Sequence, residues 1–185
     1  MTKHIRTALL VLILSLTFCI PCFAQILSSA DGFAYFNVNN NWRKISVNGA
    51  RTTEIISIAY GRDTALGLKK LNTRMGFREL RSCDYATKEA VRDDLINTSL
   101  INLRSQGFYI TVSSATISNN VIIIVYDCYK DGQRYRGSET FVVKEYQGYN
   151  LVQFSPSETE IIKVVFNAID NLYVQGVPWD KWINN

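Results

Sequence analysis

The sequence has a single histidine, His4, and it lies in the first 24 residues. Without an imidazole downstream, a Ser-His-Asp triad, a Cys-His pair and an HExxH zinc site are all excluded from the rest of the chain. The glycine-rich signatures GxGxxG, GxxxxGK[ST] and GxSxG are missing too, as is the DxDxDG calcium pattern. The stretch Asp127 to Gly132 starts like a calcium loop, but it lacks the further oxygen ligands and the glutamate and reads as a hairpin turn. No metal or other cofactor is expected. Low-complexity tracts and repeats of 20 to 50 residues are absent, and from Arg43 onward charged residues interrupt every apolar stretch before it reaches spanning length.

What is present at the start is a basic opening of Lys3, His4 and Arg6, then an apolar run from Ala8 to Leu14 continued by Leu16, Phe18 and Ile20. Pro21 and the small-residue end Cys22-Phe23-Ala24 follow, which is the order of a signal peptide cut between Ala24 and Gln25. The alternatives are a retained anchor, for which the run is short, and lipidation at Cys19, where the bulky Phe18 occupies the position of a small residue. The expected product is one soluble domain over residues 25–185, periplasmic or secreted, with no transmembrane segment after cleavage. Cys19 and Cys22 leave with the signal, and the remaining pair, Cys83 and Cys128, is expected to form a disulfide in an oxidising compartment, the alternative being two separate buried thiols. The net charge of the whole chain is +4, and 18 basic residues against 16 acidic ones remain after cleavage. Residues 25–81 hold nine basic and four acidic side chains, and residues 82–185 hold nine and twelve. This polarity implies an oriented field and gives no reason to expect nucleic acid as a partner.

The pattern along the chain predicts an α+β domain, a mostly antiparallel sheet packed by two helices. After a short polar leader, residues 33–38 and 43–47 flank the turn-prone triplet Asn39-Asn40-Asn41 and read as a hairpin. Residues 53–60 give a third strand closed by Gly61-Arg62-Asp63, 64–71 are ambiguous, and 77–82 fit a short edge strand. Val91, Leu95, Ile96, Leu100 and Leu103 recur at helical spacing between Thr87, as N-cap, and Gly107, as C-terminal stop. A four-stranded meander follows over 108–117, 121–130, 133–145 and 149–154, joined at 118–120, at Asp131-Gly132 and at Gln147-Gly148. The run Val121 to Val125 is apolar on both alternations, so it is expected to be central and covered on both faces. Ser155, Pro156 and Glu158 together look like the capping box of a last helix, whose stripe includes Ile161, Ile162, Val165, Phe166 and Ile169.

Carboxylate pairs are the remaining route to histidine-free catalysis, but Asp93 with Asp94 and Glu158 with Glu160 diverge on helical spacing and read as solvated surface. One basic cluster stands out: Lys69, Lys70, Arg74, Arg78 and Arg81, flanked by Phe77. Arg74, Arg78 and Arg81 are the candidate contacts for an acidic protein partner or an anionic envelope surface, set against an ordinary solvated face. Tyr126, Tyr129, Tyr135, Tyr146 and Tyr149 fall in the meander as sheet packing or as a binding face, and Trp179 with Trp182 form either an exposed tag or a tail folded over the core. Because strands such as 121–125 look too apolar for exposure, a binding face is expected from edges, loops or termini.

The order hairpin, strand, helix, four-stranded meander and long last helix resembles the PsbP/Mog1/DcrB-like α/β/α sandwich. Phe33 to Trp42 is similar to that group's opening strand leading into a Trp-containing turn, and Ser155 to Tyr173 to its closing helix. The resemblance implies a non-enzymatic binding or assembly role outside the cytoplasm, with no catalytic residue to carry over. The function expected is therefore an exported non-catalytic binding protein, such as an envelope accessory or assembly factor. A toxin-neutralising or inhibitor protein is the alternative, and a histidine-independent enzyme stands third.

Overall fold

Alternating apolar residues over most of residues 108–156 build four neighbouring strands of the larger antiparallel sheet. A computed structural model describes residues 24–46, 52–71, 85–145 and 147–185. In chain order the strands are β1 (Ala24–Ser28), β2 (Ala34–Asn39), β3 (Trp42–Ile45), β4 (Thr52–Tyr60) and β5 (Thr64–Leu71). Helices α1 (Tyr85–Ser99) and α2 (Ile101–Ser105) precede β6 (Tyr109–Ser118), β7 (Val121–Lys130), β8 (Gln133–Lys144) and β9 (Gln147–Pro156). The chain closes with α3 (Thr159–Asp170), β10 (Leu172–Val174), β11 (Val177–Pro178) and α4 (Trp179–Asn184). The signal segment up to residue 23, and the predicted edge strand at 77–82, lie outside the described residues.

Seven strands form one sheet in the order β3-β4-β5-β9-β8-β7-β6, and β1-β2-β10-β11 form a second, smaller one. Every pairing given for these strands is antiparallel, so the expected α+β class with a mostly antiparallel sheet holds. Two cores lie on opposite faces of the larger sheet. Ile122, Ile124, Tyr126, Cys128, Phe141 and Val143 meet Val91 and Leu95 of α1 on one face. Their neighbours Val121, Val142 and Leu151 turn the other way, toward Val165 and Ala168 of α3 and the small sheet's Phe36 and Leu172. The period-2 alternation of a strand makes this division possible from one stretch of sequence.

Several local expectations change. Asn39 to Asn41 do make a turn, with the Asn41 N–H donating to Asn39 Oδ1 at 3.1 Å, but β2 and β3 are not a hairpin. Both edges of β2 are taken, by β1 and by β10, so the chain crosses to the other sheet at the turn and β3 pairs with β4. The supposed leader is β1, whose Gln25 Nε2 donates to the carbonyls of Asn39 and Trp42 at 3.0 and 2.6 Å and ties the crossing together. The expected 87–106 helix begins at Tyr85, so Thr87 is inside it, and it breaks at Leu100, which is buried. The Asn97-Thr98-Ser99 run just before the break has low helix propensity. Gly107 stops the second piece as predicted, at φ 85°.

Asp131 and Gly132, at φ 50° and 80°, make the tight β7–β8 turn that the sequence signals. The β8–β9 turn, however, comes before Gln147-Gly148, since Lys144 pairs with Gln147 within the ladder. Gly148 serves packing instead: a Cβ there would stand 2.8 Å from Leu71 Cδ1 and 3.1 Å from Phe141 Cε2. The Ser155-Pro156 capping signal is also overridden. Ser155 and Pro156 pair with Arg136 and Tyr135 at the end of β9, the Ser157 N–H donates to the Arg134 carbonyl at 3.0 Å, and α3 starts only after Glu158. A long β8 supplies ladder partners for these residues, and those bonds win over a side-chain cap.

Cys128 is buried in the α1-side core, and its expected disulfide partner Cys83 lies outside the described residues. In the reduced protein, burial pushes the Cys128 thiol up to about 11 from 9.0, with Asp127 beside it adding to the rise. A proton held more tightly in the folded than in the unfolded chain stabilises fully below the unfolded value and is lost as pH climbs between the two. The denaturation midpoint of reduced protein should therefore fall from pH 9 to pH 11. A Cys128→Ala variant should fall less over the same interval. Parallel pH profiles for the two proteins would remove the thiol from the account.

Candidate ligand groove

Cross-strand pairing sets the floor of a groove on the α3 side of the large sheet. Ile123 stands opposite Thr140 and Val125 opposite Ser138, and these in turn stand opposite Leu151 and Gln153. Helix α3 forms the wall with Ile162, Val165, Phe166 and Ile169, and Trp179 of α4 closes one end. The enclosed volume is about 260 Å³. Two large apolar residues that are open to solvent, Ile123 at 36% and Phe166 at 60%, both line it.

The position of Ile123 corrects the expectation that the 121–125 run is central and covered on both faces. β7 is next to the sheet edge, and α3 packs on β9, two strands away, so the α1 face of β7 is buried while its other face is only half covered. The structure thus leaves apolar surface open on the flank of this strand, away from the edges, loops and termini to which sequence reasoning confined a binding face.

The polar lining is small and ordered. Ser138 Oγ donates to Gln153 Oε1 at 3.1 Å, and Gln153 Nε2 donates to Ser155 Oγ at 2.9 Å and to the Arg136 carbonyl at 3.2 Å. Both donors of that amide are used, so it holds the floor in place. Arg136, exposed at the mouth, is the one charged residue that lines the groove, and it forms no ion pair among the described residues. The lining brings together no nucleophile with a base; its chemistry is apolar contact plus one guanidinium. On the opposite face Asn150 Nδ2 donates to the buried Glu139 carboxylate at 2.6 Å.

The residues singled out from sequence fall elsewhere. Arg74, Arg78 and Arg81 lie outside the described residues, and of the same cluster Lys69 is half-buried and Lys70 exposed on β5. Asp93, Asp94, Glu158 and Glu160 are exposed, Asp93 with Arg92 at 2.8 Å and Glu160 with Lys163 at 2.8 Å. Among the described residues no group of three or more His, Cys, Asp or Glu side chains is arranged to hold a metal, and no helix is long and apolar enough to cross a membrane. The tyrosines divide: Tyr126 is buried, Tyr129 is exposed, Tyr135 stacks on Phe154, and Tyr149 stacks on Phe33. Trp179 and Trp182 fold back and are buried.

No family profile matches the chain, and no curated protein does. Among solved structures, the chain is similar to cyanobacterial PsbP (CyanoP) from Synechocystis, with 14% identity, a TM-score of 0.49, and coverage of 83% of this chain and 93% of that one. LpqN, involved in cell envelope biogenesis of Mycobacterium tuberculosis, gives 12% identity, a TM-score of 0.42 and coverage of 82% and 90%. A protein of Bacteroides thetaiotaomicron gives 11%, 0.44, and 82% of this chain against 48% of its own. These likenesses bring no ligand or activity with them.

Proposed function

We propose that this protein is an exported, non-catalytic binding protein whose ligand lies in the groove between α3 and the β7–β9 floor. Export rests on the basic, apolar and small-residue sequence of the first 24 residues. The reading is carried by one observation: Ile123 and Phe166 are large, apolar and exposed, and they line the same concave surface. Scattered exposed apolar residues need no explanation, whereas a pair converging on a groove marks a contact surface. The residues around it supply fixed hydrogen bonds and one cation, which is the make-up of a binding site.

The neutral fluorescent probe N-phenyl-1-naphthylamine tests this. It should bind saturably with one site per chain and quench emission from Trp179. Phe166→Glu, which keeps helix propensity, and Ile123→Thr, which keeps strand propensity, should each weaken binding by about tenfold, the equivalent of ~1.4 kcal/mol. Both positions are exposed enough that the melting temperature should move little. Full affinity in both folded variants would place the ligand elsewhere.

A further inference from the structure

We propose that the groove takes a single-chain amphiphile with an anionic head, carboxylate or phosphate, its chain lying on the floor and its head at Arg136. The inference rests on the groove being the binding site. Its first support is the direction of charge. Arg136 pairs with Ser155 beside the point where α3 departs, so the cation marks the end that also holds Ile162. At the other end Ile169 and Trp179 are shared with an adjoining hollow that carries Asp170 and Asp180. Asp127, opposite Arg136 in the ladder, pairs with Arg134, and Glu160 at the same helix start pairs with Lys163, so Arg136 is the cation an anionic head would meet in the groove.

The second support is a polarity gradient in the same sense. Gln153 is bonded to the Arg136 carbonyl and to Ser138, whereas Leu151, Ile169 and Trp179 are apolar. Gln153 and Ser138 spend their donors on one another and on the floor, so an anionic head finds its free donors in the Arg136 guanidinium, while Leu151, Ile169 and Trp179 offer a hydrocarbon tail apolar contact. The guanidinium fork matches a carboxylate or phosphate through two parallel N–H donors. Size limits the tail: about 260 Å³ falls below the ~300–1,000 Å³ of ordinary ligand pockets, so the groove suits one acyl chain and excludes a two-chain lipid.

The experiment displaces bound N-phenyl-1-naphthylamine with dodecanoate, dodecyl phosphate and dodecanol, all below micelle-forming concentrations. Wild type should release the probe to at least one of the two anions at about tenfold lower concentration than to dodecanol, the lower end of what a charge-assisted hydrogen bond gives at an exposed rim. The anion that does so distinguishes a carboxylate from a phosphate head. Arg136→Gln, at an exposed position, should remove that advantage while leaving dodecanol unchanged, and salt should weaken the anions alone. If dodecanol displaces the probe as well as the anions do, or if folded Arg136→Gln keeps their advantage, the head-group assignment is overturned and the groove reading stands. If the probe itself fails to bind the wild type, the groove reading has failed first.

Discussion

Cutting the chain after Gly176 should abolish cooperative folding, and Trp182→Ala alone should lower stability by about 3–5 kcal/mol. That loss is a large share of the ~5–15 kcal/mol that holds a typical domain together. Trp182 is only 8% exposed and joins four groups. Its ring stacks on Trp179 at 5.5 Å, meets Tyr149 edge-on at 5.2 Å and Phe33 edge-on at 6.5 Å, and lies 5.4 Å under Lys144 Nζ. The indole N–H donates to Gln175 Oε1 at 3.3 Å, and one residue on, the Ile183 carbonyl accepts from Asn120 Nδ2 at 3.1 Å. The short last helix therefore ties the small sheet, the large sheet and the β6–β7 turn to one another. Chemical denaturation of Trp182→Ala and Trp182→Phe measures this, with the phenylalanine variant recovering part of the loss. A Trp182→Ala midpoint within about 0.5 kcal/mol of wild type, the range of ordinary surface substitutions, would make the tail an appendage.

The meander shows which parts of such a fold can be read in advance. Asp131-Gly132 demands positive φ at two successive residues, and only one kind of turn provides it, so β7 and β8 were legible with their register. Asn39 to Asn41 gave an equally clear turn and a wrong pairing. A turn signal says that the chain reverses; it does not say that both flanking strands have free edges for each other, and β2 spends its edges on β1 and β10. β10 is three residues long and carries no pattern of its own, so neither it nor the second sheet could be seen. The Ser155 cap failed for a related reason, because its alternative partner, β8, lies some twenty residues away in sequence.

The site was less legible than the fold. Two-sided apolar strands usually mean burial on both faces, and that inference turned attention away from Ile123 and Val125. The signal that pointed to them lies in α3, whose apolar residues Ile161, Ile162, Val165, Phe166 and Ile169 span a wider arc than one sheet face can cover. A helix with apolar surface to spare beside a strand with apolar surface to spare describes a groove, but only the register of β7, β8 and β9 shows that the two surpluses coincide. Arg136 has no sequence signature at all; it differs from its neighbour Arg134, which pairs with Asp127 at 3.4 Å, by which ladder position it occupies.

Gly137→Ala should destabilise the protein by about 3 kcal/mol, the upper end of the overpacking range. Backbone entropy argues for the opposite sign, since glycine within a strand costs about 0.5–1 kcal/mol relative to alanine. Sterics decide the matter. Gly137 stands directly opposite Tyr126 in the β7–β8 ladder, and a Cβ at 137 would overlap the Tyr126 ring. The ring is 1% exposed and packed in the core that contains Val91 and Leu95 of α1, so it has nowhere to swing. Burial and the neighbouring Glu139 carboxylate hold its hydroxyl well above the ordinary phenol range, which keeps the ring neutral and inside. A second variant separates this contact from any general weakness of β8. Tyr126→Leu will itself cost stability, but in its presence Gly137→Ala should cost at least about 1 kcal/mol less than in wild type, the coupling expected of residues in direct contact. Additive costs in the double-mutant cycle, or a neutral Gly137→Ala, would show that the strand shifts to make room and that the glycine is not required by the ring above it.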